Sequence, residues 1–440
     1  MCQSPVFDFA SGRDVSYIWD SVSCDVAGLS LGSELSNLSG IALAEQWLDQ
    51  FADQDRELAR SLLDEVHLVP AKVFSDGIFK LIDQVAAERP AGERKIALYA
   101  ERPVPSAWGT IPSFFPNSRR GRAAGPGVPP IKVDARDQEV GSEGPIAQMI
   151  TSYCRLHPTV ALSHPGPTKL RKDRVSHIVI VTDFIGSGDR IYQMLESFRY
   201  VATLRSWHSY KLIKFVVIAY AATDAGLHHV QLSRLPHTIN VQVGCPTISG
   251  VFRGARRKLI EKLCWHYPRK SDPFGWRAGG ALIAFAHGCP NNAPAMFWSE
   301  ANSWQPIFGG RTTIEASDAF AVNEAGLLNQ RTERLLGIRD AREKLTSHEG
   351  NCWITAMTTL AAVDDGARRP MQISARTILP LKQVNEVLDL CVRAGWLDAE
   401  YKLTVLGQME LKRLRRRLRR KPVFPNDENP FYYPSQLRAP

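Results

Sequence analysis

Apolar positions along the chain change period several times, and each change marks a new element. From Ser39 the spacing is helical: Trp47, Leu48 and Phe51 fall on one face. Asp53 and Asp55 favour a fresh helix start, and Leu58, Leu62, Leu63 and Val66 follow at helical spacing. Pro70 opens a third helix with Val73, Phe74, Ile78, Leu81, Ile82 and Val85 as its apolar stripe. Residues 1 to about 38 show no clear period. The stretch Lys95 to Ala100 reads as a short apolar strand. Arg102 to Pro130 is rich in Pro, Gly and Arg and fits no periodic element, so it is either a functional loop or a disordered insertion. Pro145 with Ile146, Met149 and Ile150 begins another helix after the turn Gly141 to Gly144.

Val175 to Val181 is the clearest strand, followed by a turn and a helix over 190–199. Phe215 to Ala221, Thr238 to Val243 and residues 280–286 read as three more strands. Continuous apolar strands alternating with helical segments predict a parallel α/β sheet covered on both faces. Beyond Thr346 the pattern predicts helices over 353–363, 372–377 and 381–393, with a stop at Gly395. A small β-hairpin wing over 396–404 and a final helix from Gly407 to Leu418 complete the order of a winged helix. The expected organisation is a helical region over 1–90, an α/β domain over 91–340, a winged helix over 341–421 and a tail over 422–440.

The length of 440 residues fits two or three domains, and 44% hydrophobic with 22% charged residues excludes a disordered chain. The net charge of +9 is unevenly placed. Lys412 to Lys421 reads KRLRRRLRRK, and without its eight cations 46 Lys+Arg face 45 Asp+Glu. Leu411, Leu414 and Leu418 can pack on one stripe. Lys412, Arg413, Arg415, Arg416, Arg417, Arg419, Arg420 and Lys421 are then expected to face a polyanion, nucleic acid above all. A solvated helix face is the plainer alternative.

No basic and apolar leader opens the chain. The longest apolar runs, Phe215 to Ala222 and Ala281 to Ala286, are far short of the roughly 20 residues that span a bilayer. The eight cysteines lack CxxC or CxxH spacing, which argues against a zinc site or a disulfide framework. A cytoplasmic location is the expectation. The histidines show no metal spacing, and His228, His229 and His287 read as scattered structural residues.

The turn after the clearest strand, Thr182 to Arg190, places an acid, a Gly-Ser-Gly turn and a helix in succession. In an open parallel sheet, ligands bind at the carboxyl ends of strands. Gly186 and Gly188 permit a tight turn, Ser187 can donate, and the backbone N–H groups before Asp189 and Arg190 favour a phosphate. Asp183 is placed to accept from ribose hydroxyls. An ordinary strand-to-helix turn with a capping Ser is the alternative. Gly141 and Ser142, with Glu143, form a second glycine turn before a helix, a further place for an anion. Asn291 and Asn292 between Pro290 and Pro294, with Trp298 and Trp304 nearby, either read and stack a base or form an Asx-type turn beside core tryptophans.

Val179 to Gly188 resembles the signature of type I phosphoribosyltransferases, in which two acids follow a hydrophobic strand and precede a Thr/Ser-Gly phosphate loop. Asp183 matches the second acid, and Ser187 and Gly188 match the loop pair. Thr182 stands where the first acid is expected and Arg190 where a second hydroxyl residue is common. A wider resemblance runs through Trp47 to Phe51, Gly141 to Gly144, the Asp183 loop, Pro290 to Trp298, Trp304 to Phe308 and Phe431 to Pro434. In these motifs the chain is similar to the phosphoribosyltransferase-like effector family of bacterial conflict systems, whose members include proteins encoded beside retron reverse transcriptases and carry a C-terminal winged helix. The resemblance implies a type I phosphoribosyltransferase-like fold and an antiphage role with a toxic or nucleotide-directed activity.

Two classes of function follow. As an enzyme, the chain takes a phosphorylated ribose such as PRPP, NAD or a nucleotide, with Mg²⁺ as its companion, and transfers or cleaves a glycosidic bond. Asp183 and Glu143 are then the expected catalytic residues. As a binding module, it senses a nucleotide without turnover and binds nucleic acid or a reverse-transcriptase ribonucleoprotein through its C-terminal domain.

Overall fold

The computed structural model describes residues 38–90, 94–104, 110–115, 122–131, 143–268, 271–321, 324–338 and 341–419. Gly141, Ser142, Arg420, Lys421 and the Phe431 to Pro434 motif lie outside the described residues, as do parts of the 102–130 segment. Two compact units emerge. Of the described residues, one holds 38–328 and 367–387, the other 329–366 and 388–419.

The first unit opens with α1 (Ala42–Leu48), α2 (Asp53–Leu63), β1 (His67–Val69) and α3 (Ala71–Ala87). Then follow β2 (Ile96–Ala100), α4 (Glu143–Leu156), β3 (Ala161–Ser163), α5 (Pro167–Lys172), β4 (His177–Ile185), α6 (Asp189–Arg199) and α7 (Ala202–Ser209). The sheet is completed by β5 (Lys214–Ala222), α8 (Asp224–Gln231) and β6 (Thr238–Gly244). Beyond it lie α9 (Ile248–Val251), α10 (Gly254–His266) and β7 (Ile283–Phe285). The main sheet has five parallel strands in the order β3-β2-β4-β5-β6. The chain therefore turns outward from β2 to β3, then returns to β4 on the other side of β2. This reversal makes the β2/β4 boundary the topological switch point.

Alternation along each strand decides which helices it meets. Val179 and Val181 of β4 and Val216 and Ile218 of β5 share a core with Phe74, Ile78 and Ile82 of α3 and Ile146 and Ile150 of α4. Ile178, Ile180, Phe215 and Val217 point the other way, to Ile191, Met194 and Phe198 of α6 and Leu204 of α7. Both faces are dry, which is why these strands read as unbroken apolar runs.

The described parts of the 102–130 segment are packed: Phe114 stacks on Phe198 with ring centroids 4.0 Å apart, and Ala123 N donates to Thr203 Oγ1 at 2.8 Å. The helices before residue 90 precede the sheet along the chain but are built into the unit. α3 covers one sheet face, while α1 and α2 form a second core with residues 282–320. In that core the Trp47 indole donates to Met296 O at 3.1 Å and meets Trp304 edge-on at 6.0 Å.

The strand expected at 280–286 forms only over Ile283–Phe285 and does not join the main sheet. It pairs in parallel with β1, and three residues between Val66 and Pro70 are too few for a periodic signal. β3 is equally short and equally invisible in the sequence.

The remaining helices are α11 (Glu324–Leu336), α12 (Ala341–Asp364), α13 (Pro370–Thr377), α14 (Leu381–Arg393) and α15 (Val405–Arg419). In the second unit α12 packs against α15, and Trp353 meets Trp396 edge-on at 5.5 Å. The wing is reduced to a single antiparallel bridge between Leu397 and Leu403. Between them Asp398 Oδ1 accepts from the backbone N–H groups of Glu400 (3.0 Å) and Lys402 (2.7 Å), an Asx-centred turn that leaves no length for a ladder. α13 folds with the first unit: Ser374 Oγ accepts from Gly244 N at 2.9 Å, at the end of β6.

Candidate functional site

β2 and β4 run side by side with Ala100 opposite Val181, so the next residues of each strand emerge together at the switch point. These are Glu101 on one side and Thr182 and Asp183 on the other. Glu101 N donates to Val181 O at 2.9 Å, and the Thr182 hydroxyl donates to the Glu101 carboxylate. The acid absent at position 182 thus has a counterpart on the adjacent strand. Burial pushes the Glu101 carboxyl up to about 7, against the opposing effects of the Thr182 hydrogen bond and the Arg190 charge. Asp183 is buried. Its Oδ1 accepts from Phe184 N at 2.7 Å, and its Oδ2 lies 3.1 Å from His287 Nε2. The His287 ring is stacked on Phe285 at 5.1 Å and lies 4.8 Å from Phe74, which holds it against the carboxylate.

The Gly186–Gly188 turn is held by close backbone approaches. Gly188 has φ +79°, a left-handed conformation that suits glycine, and starts α6. A Cβ on Gly226 would lie 2.3 Å from Gly186 O, and one on Gly186 would lie 2.1 Å from Asn292 Oδ1. Thr223 Oγ1 donates to Gly186 O at 2.6 Å while accepting from Gly226 N at 2.9 Å, which ties this turn to the start of α8.

Asp189 gathers partners around the turn. Ser187 Oγ donates to its Oδ2 at 3.0 Å, Arg277 Nε at 3.2 Å and the Trp276 indole at 3.4 Å, while His229 Nε2 lies 3.3 Å from Oδ1. Burial alone would push this carboxyl up. The hydrogen bonds from Ser187 and Trp276 and the Arg277 charge outweigh burial and hold it below its ordinary range. Arg190 reaches away from the turn to Glu143 Oε1 at 2.7 Å, at the first residue of α4.

A cavity of about 500 Å³ adjoins the turn. Its walls are Gly186, Ser187 and Asp189, the strand-end residues Ala222–Ala225 and Cys245–Thr247, the loop Arg277–Gly279, Asn292, and Met371, Gln372, Ala375 and Arg376 of α13. Gln372 Nε2 donates to Asp224 Oδ2 at 3.1 Å, and Arg376 donates to Gly250 O at 2.6 Å. Burial draws the Arg376 guanidinium down to about 10, with Arg253 acting in the same direction. A Cβ on Gly244 would meet Met371 O at 2.2 Å, so α13 sits directly against the end of β6.

Thr182, Asp183, Gly186, Ser187, Gly188, Asp189, Arg190, Glu143 and Asn292 are therefore brought to one end of the sheet. Asn291 and Asn292 engage protein backbone. Asn291 O accepts from Trp276 N at 2.8 Å, and Asn292 Nδ2 donates to Trp276 O at 3.0 Å, which supports the strained pair Arg277 (φ 55°) and Ala278 (φ 50°). Asn292 still borders the cavity. Trp298 does not: it packs on the core of α1 and α2, and its indole donates to Ala293 O at 2.9 Å.

Sequence reasoning missed Glu101, His287, His229, Arg277 and Arg376. Glu101 carries a legible signal, an acid directly after an apolar strand, the same sign that singles out Asp183. The others reach the site from distant segments. Among the described residues no group of three or more His, Cys, Asp and Glu side chains could hold a metal ion.

On α15, Leu411 and Leu414 are buried while Lys412, Arg413 and Arg416 are exposed. Arg415 is drawn inward instead, donating to Asp364 Oδ2 at 2.8 Å and Leu335 O at 3.3 Å. The side chains of Arg417 and Arg419 lie outside the described set. Among the described residues no helix is long and apolar enough to cross a membrane.

No curated protein and no solved structure matches the chain. Two family models do. One, described as wHTH-PRTase associated, matches residues 357–439 and accounts for the winged helix. The other, described as PRTase-CE, matches residues 44–309, which take in the whole parallel sheet, the Asp183 turn and the Asn291–Asn292 segment. With more than half its length matched across the fold and the site, the chain belongs to the PRTase-CE family, a phosphoribosyltransferase-like domain followed by a winged helix.

Proposed function

We propose that the switch-point cleft binds a phosphorylated ribose, as in PRPP, NAD or a nucleotide, and transfers or cleaves its glycosidic bond. The observation that carries this reading is the pair of carboxylates, Glu101 and Asp183, at the ends of adjacent parallel strands beside a glycine turn. Glu101 and Asp183 accept from the ribose hydroxyls, and the backbone N–H groups of residues 186–190 receive the phosphate. The cavity beside the turn has room for a base. Glycosidic cleavage passes through an oxocarbenium-like state, so fixed negative charge and orientation serve it better than a strong nucleophile. Mg²⁺ keeps several waters and needs one or two protein carboxylates besides the ligand's phosphates. Glu101 and Asp183 fit that requirement and would hold the ion, which would supply charge neutralisation at the phosphates.

A second reading, a nucleotide sensor without turnover, draws on Asp189. Its carboxylate engages the Ser187 hydroxyl and adds negative charge where a phosphate would approach. In either reading the chain is a cytoplasmic effector of an antiphage system, in keeping with its retron-associated resemblance. Lys412, Arg413 and Arg416 of the winged helix meet nucleic acid or a reverse-transcriptase ribonucleoprotein.

Incubation of the full chain with NAD, PRPP and nucleotides, followed by chromatography, tests the proposal. New products that vanish in Asp183→Asn support the enzyme. Binding without products, also lost in Asp183→Asn, supports the sensor. Neither binding nor turnover refutes both.

A further inference from the structure

We infer that α10, with Phe274, Trp276 and Arg277 beyond it, forms a binding surface for single-stranded nucleic acid on the sheet unit, a second basic surface apart along the chain from residues 412–421. This inference does not depend on the chemistry of the cleft.

Near-neutrality of the rest of the chain conceals a local concentration of charge. Arg253, at the start of α10, and Arg256, Arg257, Lys258 and Lys262 within it are all exposed, with Glu261 the one acid among them. Glu261 pairs with Arg257 at 2.6 Å and leaves the other four with no carboxylate on their own helix. The same helix exposes Leu259 (53%) and Trp265 (57%), although it has Ile260, Leu263 and Cys264 to anchor it to the core. Lys258, Lys262 and Trp265 are spaced i, i+4, i+7 and so share one face.

The aromatic character continues off the helix. Phe274 meets Trp265 edge-on at 6.0 Å, and two residues later Trp276 is 53% exposed, with the Arg277 guanidinium 5.9 Å from its ring. Two indoles each more than half exposed, Trp265 on the cationic helix and Trp276 beside Arg277 with its N–H on Asp189, are costly to the isolated chain, since each leaves apolar surface in water that the core could have taken.

The combination selects the partner. An acidic peptide would answer the cations but gains nothing particular from two separated indoles. A membrane surface asks for a continuous apolar stripe, which Leu259 and Trp265 alone do not make. A single strand presents both phosphates to the cations and unstacked bases to the rings, and is bound in this way without sequence preference. Arg277 borders the cavity and Trp276 is its chain neighbour, so the surface leads to the mouth of the site.

The test uses the full chain and fluorescein-labelled oligo(dT), followed by anisotropy across a salt series. It is run on wild type and in a Lys412→Ala/Arg413→Ala/Arg416→Ala background that removes the three cations of α15 described as exposed and so weakens the winged helix's contribution. In that background binding should persist. Adding Lys258→Glu/Lys262→Glu should lower the slope of log K against log salt by about 1.4, roughly 0.7 for each phosphate contact on a single strand. Trp265→Ala should weaken binding about 5- to 160-fold at every salt concentration and leave that slope unchanged. All of these side chains are exposed, so unchanged thermal unfolding checks that the variants fold. Loss of all oligo(dT) binding in the triple-alanine background with α10 intact would overturn the inference. So would indifference to the α10 changes, or polyglutamate that competes as well as oligo(dT) and ignores Trp265→Ala.

Discussion

The Thr182 hydroxyl donates to the Glu101 carboxylate across the two strands that flank the switch point, and Asp183 follows Thr182 directly. A hydroxyl thus occupies the position of one acid and positions another that comes from elsewhere in the chain. If this arrangement serves a ribose, Glu101→Gln should cost turnover as severely as Asp183→Asn, each about 10²–10³-fold, the scale seen when one fixed electrostatic group is removed. Thr182→Val should leave Glu101 buried without that donor and lower stability by roughly 1–3 kcal/mol in thermal or urea unfolding. Full turnover by Glu101→Gln at equal expression would remove Glu101 from the site.

Glu101 also makes stability depend on pH. Its folded-state carboxyl is raised from 4.5 to about 7. Below about 4.5 it is protonated in both states. Between about 4.5 and 7 the unfolded chain releases the proton that the folded chain keeps, so stability falls as pH rises through this window and levels off above it. The urea midpoint of wild type, compared with Glu101→Gln from pH 4 to 8, should show this fall as the difference between the two curves. A pH-independent difference would mean that Glu101 titrates normally.

Gly226 lies beneath the Gly186 carbonyl, with a Cβ position 2.3 Å from that oxygen. Gly226→Ala must displace backbone, so the Gly186–Gly188 turn should move. We expect a stability loss of about 1–3 kcal/mol, the usual cost of overpacking, together with loss of nucleotide binding by calorimetry. Retained affinity would show that the turn does not hold the ligand.

The arginines of α15 should separate into two kinds. Arg415 is paired with Asp364 and partly exposed, so Arg415→Ala should cost at most about 1 kcal/mol of stability and barely alter nucleic-acid affinity. Lys412, Arg413 and Arg416 are exposed. Each one replaced by Ala should lower the salt slope for duplex DNA by about 0.9 if it contacts a phosphate. A salt slope that fell only for Arg415→Ala would reverse the assignment.

Arg376 of α13 borders the cavity from a segment matched to the winged-helix family model. Arg376→Met removes the donor to Gly250 O and a buried positive charge in the cavity wall. Nucleotide affinity should drop about tenfold or more, in keeping with roughly 1.5–3 kcal/mol for a hydrogen bond to a charged group. Unchanged affinity by calorimetry would confine Arg376 to holding α13 in place.

Local pattern alone determined the parallel α/β class, the helices before residue 90 and that after Gly188, the helical order beyond Trp353, the leucine stripe of the last helix and the Asp183 turn. Each depends on residues close in the chain: a continuous apolar run, a 3.6-residue period, or glycines beside an acid. β1 and β3 escaped because three residues carry no period, and the strand expected over 280–286 shrank to β7 and left the main sheet to pair with β1. Only the tertiary structure decided that Glu101 stands beside Thr182, that His287 meets Asp183, and that Asn292 and Gly226 close around the Gly186 turn. It alone drew Arg415 inward and gathered exposed tryptophans with the cations of α10. Strand order, and with it the partner of each strand-end residue, is set by which faces must be buried together. That choice is made by the whole core at once, through contacts such as that of Trp47 with Met296, 249 residues apart, and no window of the sequence contains it.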